Sequence, residues 1–426
     1  MKYWRLLLTA AAALMLTACS GEPELPSEQA TDPPATEAPA PTGEAPEATA
    51  NPDESYYSSP TDTPVPTEPG EEVHFYSPRF EAIFREQTGR TNGPIYEADV
   101  RSTTKLAFND ERVYELRDLL MFENLEELTL EHTGVDDISV LRQMQSLKEL
   151  TLVGNRFLKD YSPIADLTGL RRLRCTPNNH YPLKDLTMFS GMKDMEDLTV
   201  MWYESDDLTP IAGMTKLKKL VLENVSENRI KDISVIANFP DLEVLNLVGD
   251  FTDLTPLEGL TNMRELYLSC KASDLTPIAG MTEMRRLVLD NRSVTDISAL
   301  SGMKKLEHLS LLVTVSDISA LEGMTELDWL EIPNSDIEDI SPLADSRKLT
   351  LLRLFGNRIK DISVLSNMTA LTDLGIWNNE ISDVTPLYPL HNLKYLGIGG
   401  NKLTGEQIEA LKSNFENDSI LIEADD

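Results

Sequence analysis

The sequence is poor in basic residues. Its 38 lysines and arginines stand against 71 aspartates and glutamates, so the 426-residue chain carries a formal net charge of -33. A protein that binds nucleic acid needs clustered lysine and arginine to neutralise phosphates, and this balance therefore argues against a nucleic-acid partner. An acidic surface of this kind favours solubility instead.

The chain also lacks an apolar run long enough for a permanent membrane anchor. Its most apolar segment, residues 6–16, is shorter than the roughly 20 apolar residues with which a helix crosses a bilayer of about 30 Å. Lys2 and Arg5 precede this segment and small residues follow it, which is the arrangement of an export signal. Residues 1–18 are therefore predicted to be a signal peptide.

The residues that follow this segment indicate how the mature protein is held. Leu16-Thr17-Ala18-Cys19 resembles the bacterial lipobox, in which the cysteine becomes the lipidated first residue of the mature protein. Acyl chains on Cys19 would bury methylene groups at about 0.8 kcal/mol each, and stable anchoring needs more than one chain. The resemblance implies that Cys19 is attached to the outer face of a membrane. An ordinary signal peptide with a chance cysteine is the alternative.

Basic residues are absent altogether from residues 20–72, where aspartate, glutamate and proline are frequent and apolar residues are few. Such a segment cannot bury enough apolar surface to offset the entropy lost on ordering. Residues 19–72 are therefore predicted to be an extended, self-repelling tether that reaches at most about 3.1 Å per residue where it is polyproline-like. We interpret it as a wall-spanning spacer without a partner of its own.

Beyond the tether the sequence repeats itself in thirteen units of the pattern L-x-x-L-x-L. Their first residues lie 21 to 25 positions apart, most often 22. Alternate side chains of a strand point to opposite faces, so each unit is predicted to form a strand with its leucines inside. One unit alone cannot bury them, and the units must stack with their strands in a parallel sheet. The first positions are Leu125, Leu147, Leu170, Met195, Leu217, Leu242, Met263, Met284, Leu306, Leu327, Leu349, Leu371 and Leu393.

The second half of each unit is equally regular, as in Asp361-Ile362-Ser363. The serine or threonine, often followed by proline, is predicted to start a short helical turn, because its hydroxyl can cap free amides. These features resemble the internalin-like, 22-residue class of bacterial leucine-rich-repeat proteins over residues 73–426. The resemblance implies an α/β repeat fold: a leucine-rich-repeat solenoid with a parallel concave sheet and short helical or 3-10 turns on the convex side.

The resemblance also implies a ladder of asparagines at the ninth position of the units, where their side chains satisfy buried backbone groups. Other units have Lys271, Arg292 and Thr314 at that position, so we expect the ladder to be interrupted between its two parts. The asparagines at the ninth position are Asn155, Asn178, Asn357, Asn379 and Asn401.

A solenoid must cover its open N-terminal end. Residues 73–105 are predicted to be a helical cap, with a helix that begins at Ser77 and ends near Gly89. They resemble the cap that precedes such repeats in Gram-positive surface proteins, which favours a Gram-positive envelope. Ser20, after the lipidated cysteine, suits either a Gram-positive membrane or an outer membrane.

The C-terminal end needs a cover as well. The repeats are predicted to occupy residues 106–403 and a helix-strand cap residues 404–426. Thr404 and Gln407 have the spacing of a capping box, in which each side chain satisfies the other residue's amide. Residues 420–422 are apolar and can supply a last strand.

No combination of residues indicates catalysis, a cofactor or a metal. The five histidines form no H-E-x-x-H pair, and the sequence contains neither C-x-x-C nor a phosphate-binding loop. The spacing S-x-x-K occurs at Ser190-Lys193 and Ser301-Lys304, but both copies sit in the same inter-repeat turn, so the repeat explains them. The sequence therefore predicts a protein that is not an enzyme.

The two cysteines of the repeats are predicted to be free thiols. Cys175 and Cys270 lie four repeats apart, which at the strand spacing is about 19 Å, far beyond the roughly 7 Å between the Cα atoms of a disulfide.

The most informative side chains are those that point outward from the last five strands. The predicted ligand-binding residues are His308, Leu312, Trp329, Glu331, Leu351, Arg353, Phe355, Asp373, Trp377 and Tyr395. A contiguous exposed apolar patch that contains Trp, Tyr and Arg has the composition of an interface hot spot. The alternative is that the aromatic side chains pack on each other to cover the sheet, or lie under the terminal cap, and that the charged residues form a cross-strand ion ladder worth little.

The outward positions of the earlier strands are more polar and mixed, and they either extend the contact surface or are solvated. Together these features predict a surface-exposed module that binds a protein ligand, of a host or of a bacterial surface, in adhesion or recognition. Internalin-like relatives bind protein partners, which supports that expectation by resemblance. The alternatives are a glycan or cell-wall binder, because aromatic faces stack on sugar rings, and a structural envelope protein whose repeats assemble with each other.

Overall fold

Each coil of the chain can bury its leucines only against the neighbouring coils, and the fold is built on that contact. The structure, a computed structural model, describes residues 70–110, 112–178, 180–224, 230–416 and 419–424. The predicted signal peptide, Cys19 and the predicted tether up to residue 69 lie outside these ranges. Within them, no helix has the length and apolar character needed to cross a bilayer.

The strands form one parallel sheet. In the described part of the chain, fifteen strands pair in sequence order, each with the next. The register aligns the leucines of successive units, so that Leu128 lies beside Leu150, and Leu150 beside Leu173. The strands are β1 (Lys105–Phe108), β2 (Glu127–Glu131), β3 (Glu149–Val153), β4 (Arg172–Thr176), β5 (Asp197–Tyr203), β6 (Lys219–Asn224), β7 (Val244–Val248), β8 (Glu265–Ser269), β9 (Arg286–Asp290), β10 (His308–Leu312), β11 (Trp329–Glu331), β12 (Leu351–Arg353), β13 (Asp373–Gly375), β14 (Tyr395–Gly397) and β15 (Leu421–Glu423). This is the leucine-rich-repeat solenoid that the sequence predicts.

Short 3-10 turns form the convex wall, one after each of the strands β1 to β13. The side chains at the first leucine positions and the apolar residues of the turns meet in one continuous core, where Leu306, Leu309 and Ile318 are buried. The turns are Arg117–Met121, Ser139–Gln143, Ser162–Asp166, Thr187–Phe189, Thr209–Ile211, Ser234–Asn238, Thr255–Leu257, Thr276–Ile278, Ser298–Gly302, Ser319–Leu321, Ser341–Leu343, Ser363–Asn367 and Thr385–Leu387.

The capping of these turns differs from the prediction. The amide of Ser363 donates to Oδ1 of Asp361 at 2.8 Å, and the amide of Thr255 donates to Asp253 at 2.9 Å. The aspartate two residues earlier therefore does the capping that the sequence assigned to the hydroxyl, because the serine or threonine is itself the first residue of the turn. The same hydrogen bond lowers the pKa of Asp361 below its ordinary value.

The N-terminal end is covered as predicted. Helix α1 (Pro78–Thr88) begins after Ser77, whose Oγ accepts a hydrogen bond from the amide of Phe80 at 3.3 Å. It ends at Gly89, whose φ of 71° is the left-handed conformation that favours glycine. The ring of Phe80 lies 4.6 Å from that of Phe108 on β1, which joins the cap to the first coil. A short helix α2 (Glu97–Arg101) completes the cap.

The C-terminal end is covered by helix α3 (Gly405–Asn414) and by β15, which pairs with β14. The capping box forms, with the amide of Gln407 donating to Thr404 and the amide of Thr404 donating to the Gln407 side chain at 2.9 Å. Leu411 of this helix is buried in the core.

The asparagine ladder is complete only in the last units. The Nδ2 of Asn379 donates to the carbonyls of Leu354 and Ile376, both at 3.0 Å, and its Oδ1 accepts from the amide of Ile359 at 3.0 Å. Asn357 and Asn401 repeat this arrangement one coil before and one coil after. Each of these side chains therefore joins two coils through hydrogen bonds to their backbone groups.

The ladder departs from the prediction in two places. The Asn178 side chain is partly exposed; among the described residues it donates to the carbonyl of Arg156 and accepts from the amide of His180, so it does not repeat the ladder pattern of Asn379. Conversely, Asn291, at the eighth position of its unit, is 4% exposed and donates to the carbonyl of Ala272, a role the ninth-position rule missed. Its neighbour Arg292 bridges two coils instead, donating to the carbonyls of Val313 and Asn334.

Candidate functional site

The sheet register brings the predicted ligand-binding residues onto one surface of the last coils. His308, Trp329, Leu351, Asp373 and Tyr395 follow one another in a single row across β10 to β14. We call the ten predicted residues the C-terminal concave patch; they are His308, Leu312, Trp329, Glu331, Leu351, Arg353, Phe355, Asp373, Trp377 and Tyr395.

The aromatic rings of this patch stack on one another. Phe355 and Trp377 are nearly parallel, with ring centroids 4.2 Å apart and an interplanar angle of 6°. His308 and Trp329 stack in the same way at 5.0 Å and 21°. The mutual packing that the sequence left open therefore occurs, and it fixes the orientation of the rings on the surface.

Two glycines make room for the indole of Trp377. A Cβ at Gly397 would lie 2.6 Å from Cε3 of Trp377, and one at Gly375 would collide with its Cζ3. Both distances are shorter than real carbon contacts allow, so the indole lies over these two positions only because neither carries a side chain. Glycine is present there for close approach rather than for backbone conformation.

The charged residues of the patch form a three-membered ion network. Arg353 donates to Glu331 at 3.0 Å and to both carboxylate oxygens of Asp373, at 3.2 and 3.1 Å. Burial lowers the pKa of Arg353, but the hydrogen bonds and charges of Asp373 and Glu331 outweigh it and raise the pKa overall. All three side chains are 20 to 26% exposed. The cross-strand ion ladder that the sequence analysis gave as an alternative is therefore present, and it is partly buried.

Tyr395 is oriented by a residue that sequence reasoning missed. Its hydroxyl donates to Glu423 of β15 at 2.8 Å. Burial and this hydrogen bond raise the pKa of Tyr395 to about 12. The signal that could have identified Glu423 is the register of the last strand, which sets it beside Gly397.

The exposure of the patch differs from the prediction at one residue. Leu351 is only 7% exposed, because Trp329 and Asp373 flank it at strand spacing in the same row. The other apolar members of the patch are half-buried. Burial, together with the charge of Arg286, lowers the pKa of His308, so this ring is neutral at physiological pH.

The earlier concave strands carry separate ion pairs. Lys105 pairs with Glu127 at 2.8 Å, and Lys219 with Asp197 at 3.6 Å. Between these strands and the C-terminal concave patch, Tyr267 is almost completely buried although its position faces outward. These contacts make the first strands a solvated, charge-paired surface rather than an apolar one.

The cysteines and the possible metal ligands of the described residues form no further site. Cys175 and Cys270 are free, and burial raises the pKa of both thiols. Among the described residues, no three His, Cys, Asp or Glu side chains are grouped so that they could hold a metal ion.

The chain resembles bacterial and plant repeat proteins of known structure. An internalin from Listeria monocytogenes is 28% identical, with 75% of this chain and 94% of that chain covered and a TM-score of 0.64. The chain has an internalin-like leucine-rich-repeat fold. A leucine-rich-repeat protein of Leptospira interrogans is 15% identical, covering 77% of this chain and 97% of that chain, with a TM-score of 0.55.

The similar structures also include the plant peptide hormone receptor RGFR1 in complex with RGF2. It is 17% identical, 75% of this chain and 58% of that chain are covered, and the TM-score is 0.56. No protein-family model matches the sequence, and no curated protein matches it. These three structures share the repeat fold with this chain.

Proposed function

We propose that this protein is a recognition module that binds a protein or peptide ligand through the C-terminal concave patch. The observation that carries the proposal is the fixed geometry of that patch, in which Trp377 is held by Phe355 and two glycines, and Arg353 by two carboxylates. A surface whose aromatic and arginine side chains are already oriented loses little entropy on binding. The peptide hormone receptor among the similar structures supports the same class of function.

The site of action that we propose comes from the sequence. A signal peptide over residues 1–18, lipidation of Cys19 and a tether up to residue 72 would display the repeats beyond the outer face of a membrane, with a Gram-positive envelope favoured. In this proposal the chain is a lipoprotein of the 22-residue internalin-like class, with a role in adhesion or recognition. Labelling of growing cells with a radioactive fatty acid tests it: incorporation that is lost in Cys19→Ala supports lipidation, and equal incorporation contradicts it.

A glycan ligand is less well supported by the geometry. A sugar ring stacks on a free aromatic face, whereas the Phe355 and Trp377 rings already cover one face of each other. The same mutual packing leaves edges and partly exposed faces, which suit the side chains of a protein ligand.

The test is to screen the full-length protein against a library of surface proteins and, in parallel, a glycan array. A protein ligand found in this way should bind the Trp329→Ala, Phe355→Ala, Trp377→Ala triple variant at least about thirtyfold more weakly, because hot-spot residues each contribute about 2 kcal/mol or more. Calorimetric titration measures the loss.

The matched control removes three exposed aromatic side chains that lie outside the strands, in the triple variant Tyr114→Ala, Phe157→Ala, Tyr181→Ala. It should bind as the parent does. Equal binding by both triple variants, or a ligand found only on the glycan array, would contradict the proposal.

A subtler variant keeps every aromatic side chain. Gly397→Ala should displace Trp377 from its position and weaken binding roughly tenfold through lost preorganisation. Gly280→Ala is its control, because a Cβ there meets nothing within 4 Å. Near-ultraviolet circular dichroism should change in the first variant only; unchanged spectra and affinity in Gly397→Ala would count against the role of the fixed indole.

A further inference from the structure

Arg286 lies at the edge of the C-terminal concave patch. It is half-buried on β9, and its register partner on β10 is His308, the first member of that patch. Neighbouring strands of a sheet lie about 4.8 Å apart. The next residue in the same row is Trp329, whose ring stacks on the His308 imidazole with the two centroids 5.0 Å apart. Arg286, His308 and Trp329 are therefore consecutive side chains of one row.

The guanidinium of Arg286 is unpaired within the described chain. It forms no ion pair with a carboxylate of the described residues, and it donates no hydrogen bond to any of them. Glu265 precedes it in the same row as its register partner on β8, but these two side chains do not form an ion pair either. The charge of Arg286 does act on its other neighbour, because burial and then this charge lower the pKa of His308. The cation is therefore close to the imidazole and not neutralised by a described carboxylate.

Nearby arginines are engaged, which sets Arg286 apart. The other outward-facing arginine of β9 to β14 is Arg353, and its guanidinium donates to both carboxylates of its ion network. Arg285, the residue before Arg286, forms an ion pair with Glu307. A partly desolvated arginine without a counter-charge is unfavourable for the fold, whereas a ligand carboxylate would form charge-assisted hydrogen bonds with it. Arg286 is therefore better suited to an anionic group of a ligand than Arg353 is.

The imidazole of His308 supplies a second donor beside this guanidinium. Its ring nitrogens make no hydrogen bond to any residue that the structure describes, and its stacking on Trp329 fixes the ring. A neutral imidazole has one N–H donor and a guanidinium has five. Val288, two residues after Arg286 on the same face of β9, is 7% exposed and makes the floor of this region apolar. An anionic group placed here could accept hydrogen bonds from both side chains.

We propose that Arg286 and His308 form a subsite for an acidic side chain, aspartate or glutamate, of the protein ligand. The carboxylate would accept charge-assisted hydrogen bonds from the planar fork of Arg286 and one hydrogen bond from His308. The Trp329 ring would contact the methylene groups of the same ligand residue. The subsite rests on the proposed function, because it specifies the chemistry of one ligand residue at the edge of the C-terminal concave patch.

The test uses full-length protein labelled in its histidine rings and a synthetic peptide, acetyl-Ala-Ala-Glu-Ala-Ala-amide. The His308 resonance, identified by its absence in His308→Gln, should shift saturably on titration, and the glutamine peptide, which has the same shape without the charge, should not shift it. The bound carboxylate should also raise the pKa of His308, which Arg286 now lowers and Asp328 and Glu307 raise. Arg286→Gln should bind the glutamate peptide at least about tenfold more weakly. Arg286→Lys, which keeps the charge but not the fork, should recover part of this loss.

The matched control is Arg174→Gln, which removes a half-buried, outward-facing arginine of β4 and should change the affinity less than about twofold. Equal weakening by Arg286→Gln and Arg174→Gln would mean bulk charge and would overturn the subsite, as would equal binding of the glutamine peptide. The double variant Phe355→Ala, Trp377→Ala should bind the glutamate peptide as the parent does, although it should lose affinity for the ligand found by screening. Failure of the C-terminal concave patch and failure of this subsite are therefore distinguishable.

Discussion

The C-terminal concave patch and the central strands lie on the same leucine core but differ in how their polar side chains are paired. In the last coils Arg353 lies between two carboxylates, and each ladder asparagine joins neighbouring coils. In the central coils Asn291 and Arg292 replace that ladder with irregular contacts, and Glu223 forms no ion pair with any residue that the structure describes.

This difference shows that the burial of the core leucines does not depend on how the side chains of the concave surface are paired. The inward leucines of β8 and β12, Leu266, Leu268 and Leu352, are all 0% exposed, although the surfaces above them differ in charge pairing. A solenoid is stabilised coil by coil through its interior. Its concave side chains are therefore free to be paired for rigidity in one region and left unpaired in another. Substitutions in the two regions should consequently have effects of different size and even of different sign.

The largest effect should come from the ladder. Asn379→Ala leaves the buried amide of Ile359 without its partner, and it removes one of the two hydrogen bonds that the carbonyls of Leu354 and Ile376 each accept from ladder asparagines. An unsatisfied buried amide costs about 1 to 3 kcal/mol, and each lost hydrogen bond about 0.5 to 1.5 kcal/mol. We expect the free energy of unfolding to fall by about 3 kcal/mol or more, measured by urea denaturation. The control Asn178→Ala removes a partly exposed asparagine and should cost less than about 1 kcal/mol. Equal losses would show that the ladder does not distinguish the last coils.

A smaller loss is expected from the ion network. Arg353→Leu leaves Glu331 and Asp373 partly buried and unpaired, which should lower the free energy of unfolding by about 2 kcal/mol, between the values for exposed and fully buried pairs. Arg172→Leu breaks the ion pair between Arg172, whose side chain is 57% exposed, and Glu149. This substitution should lower the free energy of unfolding by less than about 1 kcal/mol. If both variants unfold at the same urea concentration, the C-terminal network is worth no more than a surface pair.

The smallest effect should have the opposite sign. Burial raises the pKa of Glu223 above the ordinary 4.5, so the folded protein holds this proton to higher pH than the unfolded chain does. The charged carboxylate therefore opposes folding at neutral pH, and stability falls as the pH rises through this range. Glu223→Gln should stabilise the protein by about 0.5 kcal/mol near neutral pH.

That gain should vanish once the pH lies below the ordinary value of 4.5, where the carboxyl is protonated in both the folded and the unfolded chain. Urea midpoints of the parent and of Glu223→Gln, measured at both ends of this range, provide the comparison. A destabilised Glu223→Gln at neutral pH would mean that the carboxylate has a stabilising partner, which would remove the contrast with the C-terminal network.

Much of the fold could be predicted because it depends on periodicity. The L-x-x-L-x-L pattern fixes which side chains are inside, and the burial of Leu309 and Leu311 confirms this alternation. The capping aspartates were missed because local spacing alone does not say which of two oxygen-bearing residues, Asp361 or Ser363, lies outside the turn.

The site could be predicted only as a set of positions. The row of His308, Trp329 and Tyr395 follows from stacking identical units, but the stacking of Phe355 on Trp377 depends on side-chain rotamers that no repeat pattern specifies. The partnership of Tyr395 with Glu423 required the register of a strand outside the repeats.

The sequence by itself determined the solenoid, the order of its coils and the face on which each strand residue lies, because a strand has a period of two and a unit cannot bury its leucines alone. The tertiary structure decided which outward side chains are paired and which are stacked. Those contacts join residues about 20 positions apart or more, and whether two such atoms come within hydrogen-bonding distance depends on register, curvature and rotamer together.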